Sequence, residues 1–169
     1  MHSNKFEKEL NGNELKIGII RARFNEKITQ SLLDWTIKGL LKTGVEKECI
    51  KVFEVPGSFE IPLIAQKIAQ TEDFDAVIAL GAIVKGDTPH FDYVCKAVTD
   101  GVLQVSLGYS IPVIFGVITT NNMEQALLRA QENESNKGWE AAMAAVEMVE
   151  TIRLFEGEQG IKFPNTLSL

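Results

Sequence analysis

Short apolar runs alternate with amphipathic stretches along this chain, which is the pattern of a parallel sheet covered by helices. The run at residues 76–80 contains almost no polar residue, and a strand of this kind is typical of a sheet that is buried on both faces. Four such runs predict strands, at residues 16–20, 50–55, 76–80 and 111–118.

Apolar residues at helical spacing predict five helices between and after these strands. Gly44 ends the first helix, and Pro62 is tolerated in the second because it lies in the first turn. The third helix carries an amphipathic stripe, formed by Phe91, Val94, Cys95, Val98, Val102 and Val105. The predicted helices cover about residues 28–43, 61–71, 91–107, 123–130 and 139–155.

This alternation predicts an α/β fold: a three-layer αβα sandwich around a central, mainly parallel four-stranded sheet with flavodoxin-like layering. Residues 15–157 form one domain in this interpretation. Residues 1–14 are an N-terminal arm or edge segment that can join the sheet of a neighbouring subunit, and residues 158–169 are a C-terminal tail.

Composition narrows the class of protein. A chain of 169 residues, 45% of them hydrophobic, is long enough for one domain with a sizeable core. The formal charge of −6, with no basic cluster, argues against nucleic-acid binding. No run of apolar residues is long enough to span a membrane, and the polar N-terminus does not resemble a signal peptide, so we expect a cytoplasmic protein.

The two cysteines do not indicate a metal site. Cys49 and Cys95 lie far apart, no CxxC is present, and only His90 is available as a nearby partner. We expect both thiols to be reduced and at least one of them to pack in the core.

The segment at residues 81–92 is the strongest candidate for a functional turn. It predicts a passage from a buried strand to a helix, with Thr88 as the N-cap and Pro89 as the first helical residue. Gly81 and Gly86 allow the backbone to approach a ligand closely. Free N–H groups at such a turn favour an anion such as phosphate, and His90 beside it is a residue type that often serves in proton transfer.

These residues alone leave an alternative open, because strand–glycine–helix junctions occur throughout α/β proteins and most bind nothing. The loops that follow the strands are nevertheless expected to gather at the sheet edge where α/β proteins bind ligands. They contain residues 24–25, 58–60, 82–90 and 115–122.

Several side chains in these loops allow both a structural and a functional interpretation. Phe24 either packs onto the first helix or forms a platform for a flat ring. Glu60 either favours a helix start through the helix dipole or accepts hydrogen bonds from hydroxyl groups. Arg129 and Lys137 belong either to a solvated face or, for the arginine, to a phosphate site. Asp87 would repel a phosphate, so contacts at that turn should come from backbone N–H groups.

Four blocks of sequence, in order and at the right spacing, resemble the 6,7-dimethyl-8-ribityllumazine synthase family. The similarity covers about residues 15–152, and the second block, with its G-x-T-x-H-F run, is highly specific. The blocks are PGSFEIP at 56–62, GAIVKGDTPHFDYVC at 81–95, IPVIFGVITTNNMEQALLRA at 111–130 and NKGWEAA at 136–142.

The resemblance implies the penultimate step of riboflavin biosynthesis. In that step 5-amino-6-(D-ribitylamino)uracil condenses with 3,4-dihydroxy-2-butanone 4-phosphate, giving 6,7-dimethyl-8-ribityllumazine, phosphate and water. An imine forms, phosphate leaves and the ring closes. The resemblance implies two small-molecule substrates, and neither a metal nor an organic cofactor.

The resemblance also assigns roles to residues of this chain. It makes His90 the proton donor and acceptor, and Lys137 a supporting residue. The uracil and ribityl contacts that it implies are Phe24, Asn25, Ser58, Phe59, Glu60, Ala82, Ile83, Val84 and Phe115. The phosphate contacts that it implies are Gly86, Asp87, Thr88 and Arg129.

In the family the sites form between neighbouring subunits, so the resemblance implies a homo-oligomer in which Phe115 and Arg129 are supplied across the interface. Lys85 stands where many members carry arginine, and residues 131–135 replace a loop that usually bears glycine and lysine. Because shell-forming members tend to have that other loop, we expect a pentamer. A decamer and a sixty-subunit shell, which would allow association with riboflavin synthase, stay open.

Two other functions fit part of the pattern. A non-catalytic flavin- or lumazine-binding or shell protein of the same fold would share the ring platform and the ribityl contacts, but it would not need His90, Thr88 and Arg129 together. A flavodoxin-like electron carrier fits the order of the layers but gives no role to the lone histidine.

Overall fold

The computed structural model describes residues 9–156, and within them strands and helices alternate as the hydrophobic pattern predicts. Short 3₁₀ turns lie at Lys47–Cys49 and Ser58–Glu60. In chain order the elements are β1 (Ile17–Ala22), α1 (Glu26–Lys42), β2 (Ile50–Val55), α2 (Ile61–Ala69), β3 (Ala76–Val84), α3 (His90–Tyr109), β4 (Val113–Thr120), α4 (Met123–Arg129) and α5 (Lys137–Glu156).

The four strands form one parallel sheet in the order β2-β1-β3-β4. Successive side chains of a strand point to opposite faces, so the sheet contributes to two cores. On one face Ile19 packs in a cluster with residues of α1, α4 and α5, while on the other face Ile20 packs in a cluster with residues of α2 and α3. The predicted three-layer α/β class is therefore confirmed.

The ends of two strands differ from the prediction. β1 continues through Arg21 and Ala22, which were expected in a loop, because both residues pair with β2. β3 continues through Gly81 to Val84, where a turn was expected, because these residues pair with β4 up to Thr120. A glycine within an apolar run was thus misinterpreted as the start of a turn.

The predicted cap of the third helix was also wrong. α3 begins at His90, the capping position is Pro89, and no side chain makes a capping hydrogen bond there. Thr88 lies one residue too early to cap the helix. Phe115 was included both in the predicted fourth strand and among the loop residues 115–122. It lies in the middle of β4, where its backbone pairs opposite Ala79, so the strand prediction was right and the loop prediction wrong for this residue.

The end of α1 agrees with the sequence. Gly44 follows the C-cap residue Thr43 and has a φ of 97°, a conformation that glycine adopts without a steric penalty. Cys49 and Cys95 are both free and half-buried, and each packs against one of the two cores. In the described part of the chain, no helix is long and apolar enough to cross a membrane.

Part of the predicted N-terminal arm lies within the described residues and contacts the domain. The Gly12 N–H donates to the carbonyl oxygen of Thr43, and the Asn11 N–H donates to a carboxylate oxygen of Glu150. Residues 1–8 of the predicted arm, and the predicted tail at residues 158–169, lie outside the described residues.

Candidate functional site

The carboxyl ends of all four strands meet at one edge of the sheet, because every strand runs in the same direction. From β1 the chain passes to β2 on one side, and β3 then lies on the other side of β1. The boundary between β1 and β3 is therefore the topological switch point, where open α/β sheets of this order bind ligands.

The β1–α1 loop, which begins at the carboxyl end of β1, carries an exposed aromatic ring. The N–H groups of Arg23 and Phe24 donate to the carbonyl oxygens of Val55 and Pro56, at 2.8 and 3.1 Å, and thus hold the loop against the end of β2. The Phe24 ring itself is 71% exposed. An exposed ring on a fixed backbone fits a stacking platform better than a staple onto α1.

Asn25 joins the same loop to β3. It has a left-handed conformation, with φ 57° and ψ 47°, and its side-chain amide donates to the carbonyl oxygen of Ala82 at 2.9 Å. Asparagine tolerates this backbone conformation better than most residues. The structure thus brings two of the residues predicted for the site, Asn25 and Ala82, into contact.

The end of β3 offers main-chain groups to a ligand. Its pairing with β1 stops at Arg21 and Leu80, whereas its pairing with β4 continues to Val84. Main-chain groups alternate between the two sides of a strand. Since the Ala82 carbonyl faces the β1 side, the N–H and C=O of Val84 face that side too, beyond the point where β1 stops pairing.

The side chains at this end of β3 contribute less. Ala82 and Ile83 are buried, and each belongs to one of the two hydrophobic cores. Only Val84 has a half-buried side chain. Any ligand contact by this trio is therefore mainly through the backbone.

The turn after β2 packs beside the same boundary. Ser58 is buried, and a Cβ on Gly81 would overlap its Oγ, so only glycine at 81 lets the turn pack this closely against β3. Glu60 accepts a hydrogen bond from the Gly57 N–H at 2.9 Å through Oε2. This bond holds the turn together, and Oε1 has no hydrogen bond to the described residues. The Phe59 ring is exposed.

The loop between β3 and α3 is open to solvent. The Lys85 N–H donates to the Thr120 carbonyl oxygen and so fixes the start of the loop. Residues 85–90 are all exposed, and the N–H groups of Gly86, Asp87 and Thr88 have no hydrogen-bond partner in the described part of the chain. His90 follows as the first residue of α3. Free N–H groups at the start of a long helix suit an anion.

No contact within one chain joins three of the predicted site residues to the carboxyl edge of the sheet. Phe115 lies mid-strand on the edge strand β4 with 41% of its surface exposed. Arg129 is half-buried, and its guanidinium donates to the Gln125 carbonyl oxygen of its own helix at 3.0 Å. Lys137 pairs with Glu140 within α5, at 2.5 Å between Nζ and Oε2.

Sequence reasoning missed Arg21. Its side chain is 4% exposed, and its guanidinium lies 2.9 Å from Glu54 Oε1 and 3.7 Å from Glu26 Oε1, and it also donates to Gln30. The sequence did hold a signal for this residue. Arg21 is a charged residue that directly follows the apolar run of β1, and Glu26 and Gln30, which can accept its hydrogen bonds, lie four residues apart on the next helix.

One thiol near the helix start is electrostatically perturbed. Burial is the main cause that raises the pKa of Cys95, and the nearby Asp92 carboxylate adds to it. Both effects disfavour the thiolate. This direction of the pKa shift argues against a role for Cys95 as a nucleophile.

The fold and this edge define an α/β protein of flavodoxin-like strand order whose ligand site lies at the β1–β3 switch point. A family model described as 6,7-dimethyl-8-ribityllumazine synthase matches residues 14–153, which include every element of the sheet and both sides of the candidate site. The chain belongs to this family. Membership supports lumazine synthase activity in riboflavin biosynthesis, a transferase function.

Proposed function

We propose that this protein condenses 5-amino-6-(D-ribitylamino)uracil with 3,4-dihydroxy-2-butanone 4-phosphate to give 6,7-dimethyl-8-ribityllumazine. An imine forms with loss of water, phosphate is eliminated, and ring closure releases a second water. The observation that supports the proposal is the Asn25–Ala82 hydrogen bond, which joins the loop that carries the exposed Phe24 ring to the end of β3 that β1 leaves unpaired, in a chain of this family.

The uracil ring is flat and carries amide and carbonyl groups, which suits this edge of the sheet. It would stack on Phe24 while its amide and carbonyl groups pair with the free main-chain groups at Val84. The ribityl hydroxyls would reach the turn at Ser58–Glu60, where Oε1 of Glu60 is an available acceptor. Phe59 would shield the ribityl side chain of the substrate from water.

The phosphate substrate fits the loop before α3. The free N–H groups of Gly86, Asp87 and Thr88 would hold its phosphate, with backbone donors offsetting the repulsion from the Asp87 carboxylate. His90 would then move protons during imine formation and phosphate loss, because an imidazole can both donate and accept a proton. The remaining rate gain would come from holding two reactants in register.

We further propose that a neighbouring subunit completes the site with Phe115 and Arg129. Phe115 is a large aromatic residue that is exposed on an edge strand. Within one chain it lies in the middle of β4, away from the carboxyl end of the sheet where the other site residues lie. Arg129 would add a bidentate grip on the phosphate, and Lys137 would support it. The assembly that we propose is a homo-oligomer with interfacial sites, most simply a pentameric ring.

Subunit complementation tests this arrangement. At a butanone phosphate concentration below the wild-type KM, His90→Ala and Arg129→Ala chains would each be much slower than the wild type. Co-expressed in equal amounts, they would form mixed rings in which roughly a quarter of the interfaces carry neither substitution. Activity of the mixture well above the average of the two variants would support an interfacial site. Activity equal to that average would show that each chain holds a whole site.

One observation favours a second candidate, a non-catalytic flavin- or lumazine-binding protein. The ring platform, the ribityl turn and the β3 edge are joined by hydrogen bonds or packing within one chain, while His90 and Arg129 are not tied to them. Such a protein would bind a ribityl ligand at Phe24 and show no rate enhancement. Measured binding of the lumazine product together with turnover separates the two candidates.

A further inference from the structure

We infer that Arg21 is a positioning residue that sets the spacing between the Phe24 loop and the Ser58–Glu60 turn, and thereby the affinity for the ribityl-bearing substrate. The substrate named here rests on the proposed function, whereas the positioning role rests on the contacts of Arg21. Arg21 lies two residues before the loop and touches no part of the open edge in the described contacts.

The burial of Arg21 requires partners. A guanidinium that is 4% exposed is costly to remove from water unless anions or acceptors face it. Its face of the sheet supplies these: Glu54 opposite it on β2, and Glu26 and Gln30 on the first turns of α1. The Nε atom is also buried and has no hydrogen-bond partner in the described part of the chain. Full burial is thus maintained by contacts to two other elements.

Those contacts reach the two segments that carry the proposed substrate contacts. Glu54 immediately precedes Val55 and Pro56, whose carbonyl oxygens accept the N–H groups of the Phe24 loop. Glu26 immediately follows Asn25. One buried cation therefore ties the start of α1 to the end of β2, on either side of the loop that carries Phe24.

Glu26 and Glu54 are 76% and 48% exposed, so both carboxylates stay solvated when the arginine is removed. Arg21→Met should therefore fold, since it fills the same space with an apolar chain and leaves no buried charge unpaired. The substitution removes the ion pairs through which one guanidinium links the two segments. Arg21→Lys keeps the charge without the planar fork and should recover part of the effect.

The test measures both substrate KM values and kcat in Arg21→Met, Arg21→Lys and Glu54→Gln. Arg153→Met is the matched control, because Arg153 pairs with Asp75 elsewhere in the fold. We expect Arg21→Met to raise the KM for the ribitylaminouracil roughly three- to tenfold, with kcat and the KM for the butanone phosphate changed by less than about twofold. Glu54→Gln should move the same KM in the same direction. Unchanged KM values, or equal rises for both substrates, would overturn the inference.

Hydrogen exchange provides a readout that does not depend on synthase activity. The Arg23 and Phe24 amides are held by Val55 and Pro56, so Arg21→Met should speed their exchange about tenfold while leaving the amides of β4 unchanged. Arg153→Met should change neither group. If the wild-type chain makes no lumazine, the proposed function fails, but the exchange experiment still tests the role of Arg21. Equal protection of the Arg23 and Phe24 amides in Arg21→Met and in the wild type would overturn the inference about Arg21.

Discussion

The side-chain amide of Asn25 donates to the carbonyl oxygen of Ala82 at 2.9 Å, across the boundary where the strand order reverses. One hydrogen bond thereby fixes the loop after β1 to the end of β3 that β1 leaves unpaired. The proposed ring platform, Phe24, is the residue just before Asn25. The position of the ring relative to the β3 main chain thus depends on this bond.

Asn25→Gly should weaken substrate binding more than it weakens folding. Glycine adopts the left-handed conformation freely, so the loss should be mainly that of one hydrogen bond, about 1 kcal/mol of unfolding free energy. Asn25→Ala adds the strain of φ 57° and should cost roughly 1 kcal/mol more. Urea unfolding gives both values, and the KM for the ribitylaminouracil should rise in both variants. A KM that stays at the wild-type value would show that the Asn25–Ala82 hydrogen bond does not contribute to substrate binding.

His90→Ala should slow turnover by roughly one to three orders of magnitude without abolishing it, because proton transfer is one contribution to the rate beside the holding of two reactants. The effect should appear in kcat. His2→Ala is the matched control, since His2 is the other histidine of the chain. Steady-state rates that show no loss in His90→Ala would remove His90 from the mechanism.

Arg129→Ala should raise the KM for the butanone phosphate far more than the KM for the uracil, because a guanidinium grips phosphate through two parallel hydrogen bonds. A rise of roughly tenfold or more is expected, and Arg129→Lys should recover part of it. Arg153→Ala serves as the control. Equal rises for the two substrates would argue against a phosphate contact.

Gly81→Ala should destabilise the chain by about 1–3 kcal/mol, since the new Cβ would overlap Ser58 Oγ and force the turn after β2 away from β3. The double variant Gly81→Ala, Ser58→Ala should recover part of this loss. Gly86→Ala is the control for stability, because a Cβ there meets no atom within 4 Å. Chemical unfolding of the three variants provides the comparison, and equal costs at 81 and 86 would contradict the packing described.

Cys95 should react slowly with alkylating agents in the folded state. Its pKa is raised by burial first and by Asp92 second, so the thiolate fraction near pH 8 is below that of an unfolded chain. The raised pKa contributes stability below the ordinary thiol pKa, and this contribution is lost as the pH rises through the folded value. In a Cys49→Ser background, iodoacetamide should modify the folded chain more slowly than the urea-unfolded chain. Faster reaction in the folded chain would contradict the shift.

The layers of the fold follow from the sequence because they depend on local periodicity. The apolar run that became β3, and the stripe from Phe91 to Val105 that became one face of α3, each show their burial within a few residues. The predicted end of β3 was wrong because a glycine such as Gly81 resembles a turn residue when only its neighbours in sequence are considered. Its strand conformation instead depends on pairing with Val117, far along the chain.

The candidate site was predictable only where a family motif marks it. No local pattern joins Asn25 to Ala82 or Arg21 to Glu54, because each pair lies on different strands or loops and meets only in the folded sheet. The proposed roles of Phe115 and Arg129 go one step further. They depend on the geometry of a second subunit, which neither local sequence nor a single chain contains.

The most direct measurement is the initial rate of lumazine formation, followed by absorbance with both substrates, for wild-type protein and His90→Ala beside the uncatalysed condensation. The account predicts a wild-type rate well above the uncatalysed one and a lower rate in His90→Ala. A wild-type rate equal to the uncatalysed one, with the lumazine product still bound, would contradict the synthase assignment and favour the binding protein.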